Sequence, residues 1–354
     1  MFNIGRYEVG NGRCLIIAEI AQSHNGSFLE ALAYIDAVAE AGADIVKFQC
    51  HIAAEESSAE EPWRVPIAGF EFRYDYWEEM QFTWLQWQQL AAHTKQSRTF
   101  SLHHRDLEFL CSPFSLKALE MLDPLVPAWK VASGEVTNKP LIEAMVKTGK
   151  PILLSTGMST FNDILNALDL IEAGSKEYPF LVFQTTSEYP VPPEDVGLNE
   201  LTDFKKSLIQ PVGLSDHSGS PYTGLAAVAL GADALEVHVT WDKRQQGPDV
   251  SSSLAIDELK VLVEGTRWIE RIRNNPVDKD AMAEKLAPTR ALFTRSAFLN
   301  GSYAQAVAGM TVSEKMIVMK KPGTGLKLEE VVGRKLVRTV ESGTMLTEAD
   351  FEPN

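Results

Sequence analysis

The stretch GLSDHSGSPYTGLAAVALGADALEVHVT, residues 213–240, carries His217 and His238 at the ends of two apolar runs, with an Ala-rich helix-length segment between them. An apolar run, a helix and a second apolar run is the pattern of a parallel βαβ unit, whose two strands end at the same edge of the sheet. The 21 positions between the histidines then shrink to a short distance in space if the two strands are neighbours.

Working outward, the same alternation recurs. CLIIAEIA (14–21), DIVKFQC (44–50), LEFLCSPF (107–114), WKVAS (129–133), PILLST (151–156) and FLVFQTT (180–186) precede PVGLSD (211–216) and ALEVHVT (234–240). Near-continuous hydrophobicity in each run implies burial on both faces. Most are followed by helix-length segments; in the first, Phe28, Leu32, Ile35, Ala39 and Gly42 share a helical face, with Ser27 placed to cap it and Gly42 to end it. Eight such units predict an α/β chain closed into a (β/α)8 TIM barrel. The rival, an open doubly wound sheet, usually has a glycine-rich phosphate loop after its first strand, where this chain reads AEIAQSHNG.

On this reading residues 1–280 form the barrel and 281–289 a linker. Residues 290–354, all short strands and turns, form a small, mostly-β module of roughly 65 residues, near the lower limit for a self-supporting domain. A long connection at 51–82 interrupts the alternation with acids and then Trp63, Phe70, Phe72, Tyr74, Tyr76 and Trp77; such a loop is either a functional cover or simple packing. KQSRTFSLHHRDL (95–107), with His103 and His104, is a second irregular piece to which the sequence assigns no role.

With a formal net charge of −15 over 354 residues, the chain repels polyanions, which argues against nucleic-acid and anionic-membrane partners. No signal peptide is read at the start, and no window approaches 18 uncharged apolar residues. Cys14, Cys50 and Cys111 lack CxxC spacing and sit in or beside apolar runs, as buried thiols in a reducing cytoplasm would.

If the barrel closes, its strand ends face one mouth: Glu19; Lys47 with Gln49; Ser112; Lys130 with Ser133 and Glu135; Ser155 with Thr156; Thr186 with Ser187; Ser215 with Asp216 and His217; Glu236 with His238. Any one of these can be polar merely because a strand ends there. Two lysines embedded in VKF and WKVAS are different, because a buried ammonium is costly unless it meets an anion. With the hydroxyls they predict a local receptor for phosphate and carboxylate. His217 and His238 are either two satisfied core histidines or the protein's share of an open divalent metal site (Mn2+, Co2+, Zn2+ or Fe2+) with room for water and substrate. His24, just after the first strand, is the one other histidine placed near the mouth.

AEIAQSHNGS, KFQCH, LCSPFS, WKVASGE, ILLSTGMS, TSEYP, GLSDHSG, LEVHVT and GPD, in that order, resemble the sialic acid synthase family of phosphoenolpyruvate-dependent nonulosonate synthases. The resemblance covers nearly the whole chain and extends to that family's C-terminal SAF (antifreeze-like) domain. It implies a domain-swapped homodimer that condenses phosphoenolpyruvate, an N-acylated hexosamine aldehyde and water into a nine-carbon 2-keto-3-deoxy sugar acid and phosphate. It places metal ligands on His217 and His238, with Mn2+ the first choice and Mg2+ or Co2+ as alternatives. It places phosphoenolpyruvate contacts on Lys47, Ser112, Lys130, Ser133, Ser155, Ser187 and Ser215, with Thr156 beside them. Glu19 matches the acid-base carboxylate, and Gln49, Glu135, Tyr189 and Asp249 match positions lining the sugar site. Ser23 replaces a common Asn, VSSSL replaces HKASL after GPD, and Lys321 stands where many members have an arginine. The residues alone leave two alternatives: another barrel aldolase or lyase acting on sugars, and a non-catalytic carbohydrate-binding barrel.

Overall fold

The computed structural model describes residues 1–63, 67, 69–96, 107–173, 175 and 177–353. Two compact units divide the chain, Met1–Asn275 and Pro276–Asn354. In the first, eight parallel strands alternate with helices: β1 (Leu15–Ala21), β2 (Ile45–Cys50), β3 (Glu108–Pro113), β4 (Trp129–Val131), β5 (Ile152–Ser155), β6 (Phe180–Thr185), β7 (Val212–Asp216) and β8 (Ala234–Thr240). Hydrogen-bonded neighbours run β3-β2-β1-β8-β7-β6-β5-β4, so the first and last strands pair and the sheet curls into a nearly closed barrel of TIM type. The eight apolar runs of the sequence are these eight strands.

The period-2 geometry of a strand divides each run between two environments. Outward residues such as Ile16, Val46, Phe109, Trp129, Leu154, Val182, Leu214 and Leu235 join one large core with the helices. Inward residues Leu15, Ile17, Ile45, Leu110, Leu153, Leu181 and Phe183 fill the barrel's lower interior. That lower end is closed by Ile4 and Val9 of an antiparallel hairpin, Phe2–Ile4 with Tyr7–Val9, whose three-residue strands carry too little pattern to be read from sequence. Phe183 needs Gly213 beside it, since a Cβ there would lie 2.6 Å from its ring. One step further up, the same inward positions turn polar, and there the site begins.

The helices obey their end signals. Ser27 caps α1 (Phe28–Ala41) by accepting the Glu30 N–H, and Gly42 ends it at φ 88°. The Ala-rich helix α2 (Pro221–Ala229) between β7 and β8 starts after Ser220, with Pro221 in its first turn. It lies tight against α3 (Ile256–Arg273): a Cβ on Gly224 would meet Leu262 at 2.8 Å and one on Gly265 would meet Leu225 at 2.6 Å. Small residues thus let these helices approach closely.

The second unit has its own core of Ala297, Leu299, Ala306, Val312, Met316, Val331, Leu336, Val340, Leu346 and Phe351. Ser296–Leu299 pairs antiparallel with Ile317–Lys320, and Gln305–Ala306 with Val340–Glu341. The span read as a linker carries parts of two short helices, Lys279–Lys285 and Ala287–Phe293, the first capped by Asp278 and the second with a proline in its first turn. Most of 95–107, including His103 and His104, lies outside the described residues. Among the described residues no helix is long and apolar enough to cross a membrane, and all three cysteines are buried and free.

The seam at the foot of β1 is polar. Asp44 accepts the Ile16 N–H at 2.9 Å and Arg267 at 2.5 Å, while Glu270 accepts the Cys14 N–H at 2.6 Å and Arg267 at 2.8 Å. Arg267→Ala leaves the largely buried Glu270 without its cation and Asp44 with Arg13 alone, so urea unfolding of the variant should show a loss of about 3 kcal/mol. A loss below about 0.5 kcal/mol, the range of ordinary surface changes, would contradict that role for the seam.

Candidate active site

Above the apolar layer, the inward positions Glu19, Lys47, Ser112, Lys130, Ser155, Ser215 and Glu236 are all buried. Strand register brings them to one level: Glu19 faces Lys47 across β1 and β2, and Ser215 faces Glu236 across β7 and β8. Lys47 Nζ donates to Glu19 Oε2 and, at 3.2 Å, to Ser112 Oγ. Lys130 Nζ donates to Ser155 Oγ. Between the two ammonium groups stands Glu236, whose Oε1 lies 3.6 Å from Lys47 and 3.5 Å from Lys130 and accepts Ser215 Oγ at 3.3 Å. Two cations and two carboxylates therefore balance inside the barrel, as buried charge requires. Burial nevertheless lowers both lysines, Lys47 to about 8, while the lysines hold Glu236 below the usual carboxylate range. Glu236 was visible in the sequence only as one more polar strand end.

Glu19 is aimed by a local irregularity. After it the pairing of β1 with β2 slips by one residue, Ala21 takes φ 47°, and the Ala21 N–H donates to Glu19 Oε1 at 2.8 Å. Oε2 is left to Lys47.

The histidines meet as the βαβ reading expects. The rings of His217 and His238 lie 5.3 Å apart between centroids. His217 Nδ1 is 2.8 Å from the Thr186 carbonyl oxygen, which fixes Nδ1 as the protonated nitrogen and leaves Nε2 with its lone pair, 3.2 Å from the Tyr189 hydroxyl. Tyr189 stacks on His217 at 4.2 Å. His238 Nδ1 is buried without a hydrogen-bond partner, 3.9 Å from Asp249 Oδ2. Burial drives His217 down to about 4 and His238 well below the usual imidazole value, so both are neutral at pH 7 and available as ligands. The Nε2 lone pair of His217, which faces the Tyr189 hydroxyl, and the unpartnered Nδ1 of His238 fit a divalent cation. Among the described residues no three His, Cys, Asp or Glu side chains enclose one, so water or substrate would complete the set.

A cavity of about 590 Å3 opens above this floor. Gln49, Ser133, Glu135, Ser187, Tyr189 and Asp249 line it alongside the floor residues. Glu135 is pushed up by burial and accepts Asn138 Nδ2 at 2.6 Å. Ser187 Oγ is buried without a partner among the described residues, which leaves it free for a ligand. Thr156 departs from this pattern: its hydroxyl donates to the Phe183 carbonyl oxygen at 2.8 Å, and it lines a second cavity instead. Backbone pairing captures the hydroxyl because Thr156 directly follows β5 beside β6. Lys321 belongs to the other unit, exposed just past Ile317–Lys320, with its ammonium 5.0 Å from the Phe293 ring centroid.

Sequence reasoning left the 51–82 connection open, and it supplies one wall. Its helix Arg73–Met80 packs Tyr76, Trp77 and Met80 against Ala53. His51 lies between Trp77 and Phe114, at 3.8 and 4.2 Å, and its ring nitrogens reach Glu56 at 2.6 Å and Gln49 Oε1 at 3.1 Å. The alternating acids and aromatics of this stretch, which match neither helical nor strand period, were the available signal.

The NeuB family model matches residues 34–278. The N,N'-diacetyllegionaminic acid synthase of Campylobacter jejuni is 31% identical over 95% of this chain and 99% of its own length. Human N-acetylneuraminate-9-phosphate synthase is 33% identical over 77% of this chain and 74% of its own. A pseudaminic acid synthase of Campylobacter jejuni is 30% identical over 96% and 97%. Among solved structures, the N-acetylneuraminic acid synthetase of Leptospira borgpetersenii has a TM-score of 0.69 at 27% identity, covering 82% of this chain and 95% of that one. The spore coat polysaccharide biosynthesis protein spsE of Bacillus subtilis has a TM-score of 0.65 at 27% identity, covering 100% and 99%. A truncated 3-deoxy-D-arabino-heptulosonate 7-phosphate synthase of Thermotoga maritima, 15% identical with a TM-score of 0.58 over 78% of this chain and 94% of that one, shares the fold. Matched along most of the barrel by the family model and along nearly its whole length by relatives at about 30% identity, the chain belongs to the NeuB family, the sialic acid synthase-like family its strand-end motifs resemble.

Proposed function

We propose that this chain is a synthase joining phosphoenolpyruvate to an N-acylated hexosamine aldehyde, N-acetylmannosamine or a 2,4-diacetamido hexose, to give a nine-carbon 2-keto-3-deoxy sugar acid and phosphate. The observation that carries this reading is the pair of buried lysines, each donating to a serine hydroxyl, on the floor of a cavity that two neutral histidines also line. Lys47, Lys130 and the Ser112, Ser155 and Ser215 hydroxyls suit the phosphate and carboxylate of phosphoenolpyruvate, with Ser133 and Ser187 at the cavity margin. Holding these groups on a rigid strand floor presents C3 of the enol to the aldehyde carbon, which replaces a bimolecular encounter by a positioned one. Gln49, Glu135, Tyr189 and Asp249 orient the acceptor. A divalent cation on His217 and His238, Mn2+ first and Mg2+ or Co2+ next, would supply Lewis-acid polarisation of the aldehyde oxygen.

As the carbon–carbon bond forms, the aldehyde oxygen takes up a proton to become a hydroxyl, and C2 is left electron-poor. Water adds at C2 and loses its proton to a base, for which Glu19 is the candidate. Breaking the bond between C2 and the phosphate oxygen, with the C2 hydroxyl proton passing to the departing phosphate, then gives the ketone and inorganic phosphate. The second unit, in this reading, is an SAF module of a domain-swapped homodimer whose Lys321 serves the partner's acceptor. A Schiff-base aldolase is less well supported, because each lysine already shares a carboxylate and neither stands alone in an apolar pocket.

Incubation with phosphoenolpyruvate, Mn2+ and a panel of N-acetylated and 2,4-diacetamido hexoses in 18O-labelled water should release phosphate free of label and a product labelled at the C2 oxygen. His217→Ala and His238→Ala should lose turnover and bound metal while remaining folded. No phosphate from any sugar, or label in the phosphate, contradicts the reaction as written.

The lowered Lys47 sets a pH dependence. A lysine is cationic below its pKa, so phosphoenolpyruvate is captured fully below about pH 8 and progressively less above it. kcat/KM for phosphoenolpyruvate, which reports the free enzyme, should fall above that point by about tenfold per pH unit while kcat changes less. A flat profile up to pH 9.5 would remove Lys47 from anion capture.

A further inference from the structure

The connection at 51–82 does more than pack. Its helix Arg73–Met80 brings Tyr76 to the cavity lining, with the side chain 3% exposed and its ring set edge-on to Trp63 and Phe70 at 5.3 Å each. The Tyr76 hydroxyl has no hydrogen-bond partner among the described residues. A buried phenol is ordinarily paired, and its polar end is the usual reason a tyrosine stands where a phenylalanine would pack equally well. The charges that act on it are those of Asp249 and Arg73, both cavity residues, and neither lysine of the floor is among them.

The surroundings restrict what it can bind. Away from the floor, the carboxylates of Glu55, Glu56, Glu61, Glu135 and Asp249 share the lining with a single arginine or lysine among the described residues, Arg73. Arg73 is already engaged, 2.9 Å from Glu61 and 4.9 Å over the Trp77 ring. A second phosphate or carboxylate would find no free cation among the barrel's own described residues on this wall, whereas a neutral oxygen needs only a donor.

We infer that Tyr76 is a specificity-determining residue of the acceptor site, donating its hydroxyl hydrogen to an uncharged oxygen of the sugar, an acyl carbonyl or a hydroxyl, on a wall that disfavours acceptors bearing a phosphate ester. This rests on the synthase reading above.

Tyr76→Phe tests it, since it deletes one oxygen and keeps the ring's packing. With the full chain and Mn2+, phosphate release is followed at saturating phosphoenolpyruvate over a range of unphosphorylated N-acylhexosamine, then with the two roles exchanged, and both are repeated with the 6-phosphorylated sugar. The expected result is a rise of roughly tenfold in acceptor KM for the variant, the size of one lost neutral hydrogen bond with its partner left unpaired. The KM for phosphoenolpyruvate and the melting temperature should stay unchanged, and the wild type should favour the unphosphorylated sugar. An unchanged acceptor KM, or equal changes in both KM values, overturns the assignment of Tyr76. Preference for the phosphorylated sugar overturns the uncharged-acceptor half while leaving the synthase reading intact. Absence of phosphate release by the wild type with every sugar overturns the synthase reading itself, and the inference with it.

Discussion

One carboxylate organises the interior of this barrel. Glu236 lies within 3.6 Å of both buried lysines and accepts a hydroxyl from Ser215, so strands β2, β4, β7 and β8 all send a polar group to the same point. Without it, two ammonium groups would share a low-dielectric space with Glu19 alone, a state that burial penalises heavily. With it, the floor is close to neutral yet densely charged. Such an arrangement suits an incoming anion, because hydrogen-bond donors are already in place and carboxylate contacts can be exchanged for phosphate contacts without reorganising the strands.

The zoning above the floor follows from the same geometry. Inward strand positions are apolar at the hairpin-sealed end, charged one step higher, and carry His217 and His238 at the rim. A cluster of ammonium and hydroxyl donors, a pair of neutral imidazoles and an acidic aromatic wall are thus chemically distinct parts of one cavity's lining. Separation of this kind lets one substrate be held by charge and the other by shape and neutral hydrogen bonds.

Much of this was legible in the sequence, for identifiable reasons. Eight hydrophobic runs betrayed eight strands because each is buried on both faces, and the two histidines were paired by the βαβ argument alone. Lys47 and Lys130 stood out because ammonium groups rarely sit in such runs. What could not be read depended on contacts between distant segments. The role of Glu236 exists only when two other strands bring lysines to it. The Thr156 hydroxyl was lost to a neighbouring strand's carbonyl. The hairpin at the barrel's foot is too short to show a period, and the 51–82 wall is held by ring stacking around His51 and Trp77, which leaves no periodic trace.

The claim on which the account rests is that the Lys47, Lys130 and Glu236 cluster is a preformed anion receptor. Calorimetric titration of the metal-free protein with phosphoenolpyruvate tests it directly, comparing wild type with Lys47→Met and Lys130→Met. The wild type should bind measurably and each folded variant at least about tenfold more weakly, as loss of a charged hydrogen bond implies. Equal affinity in all three proteins would contradict it.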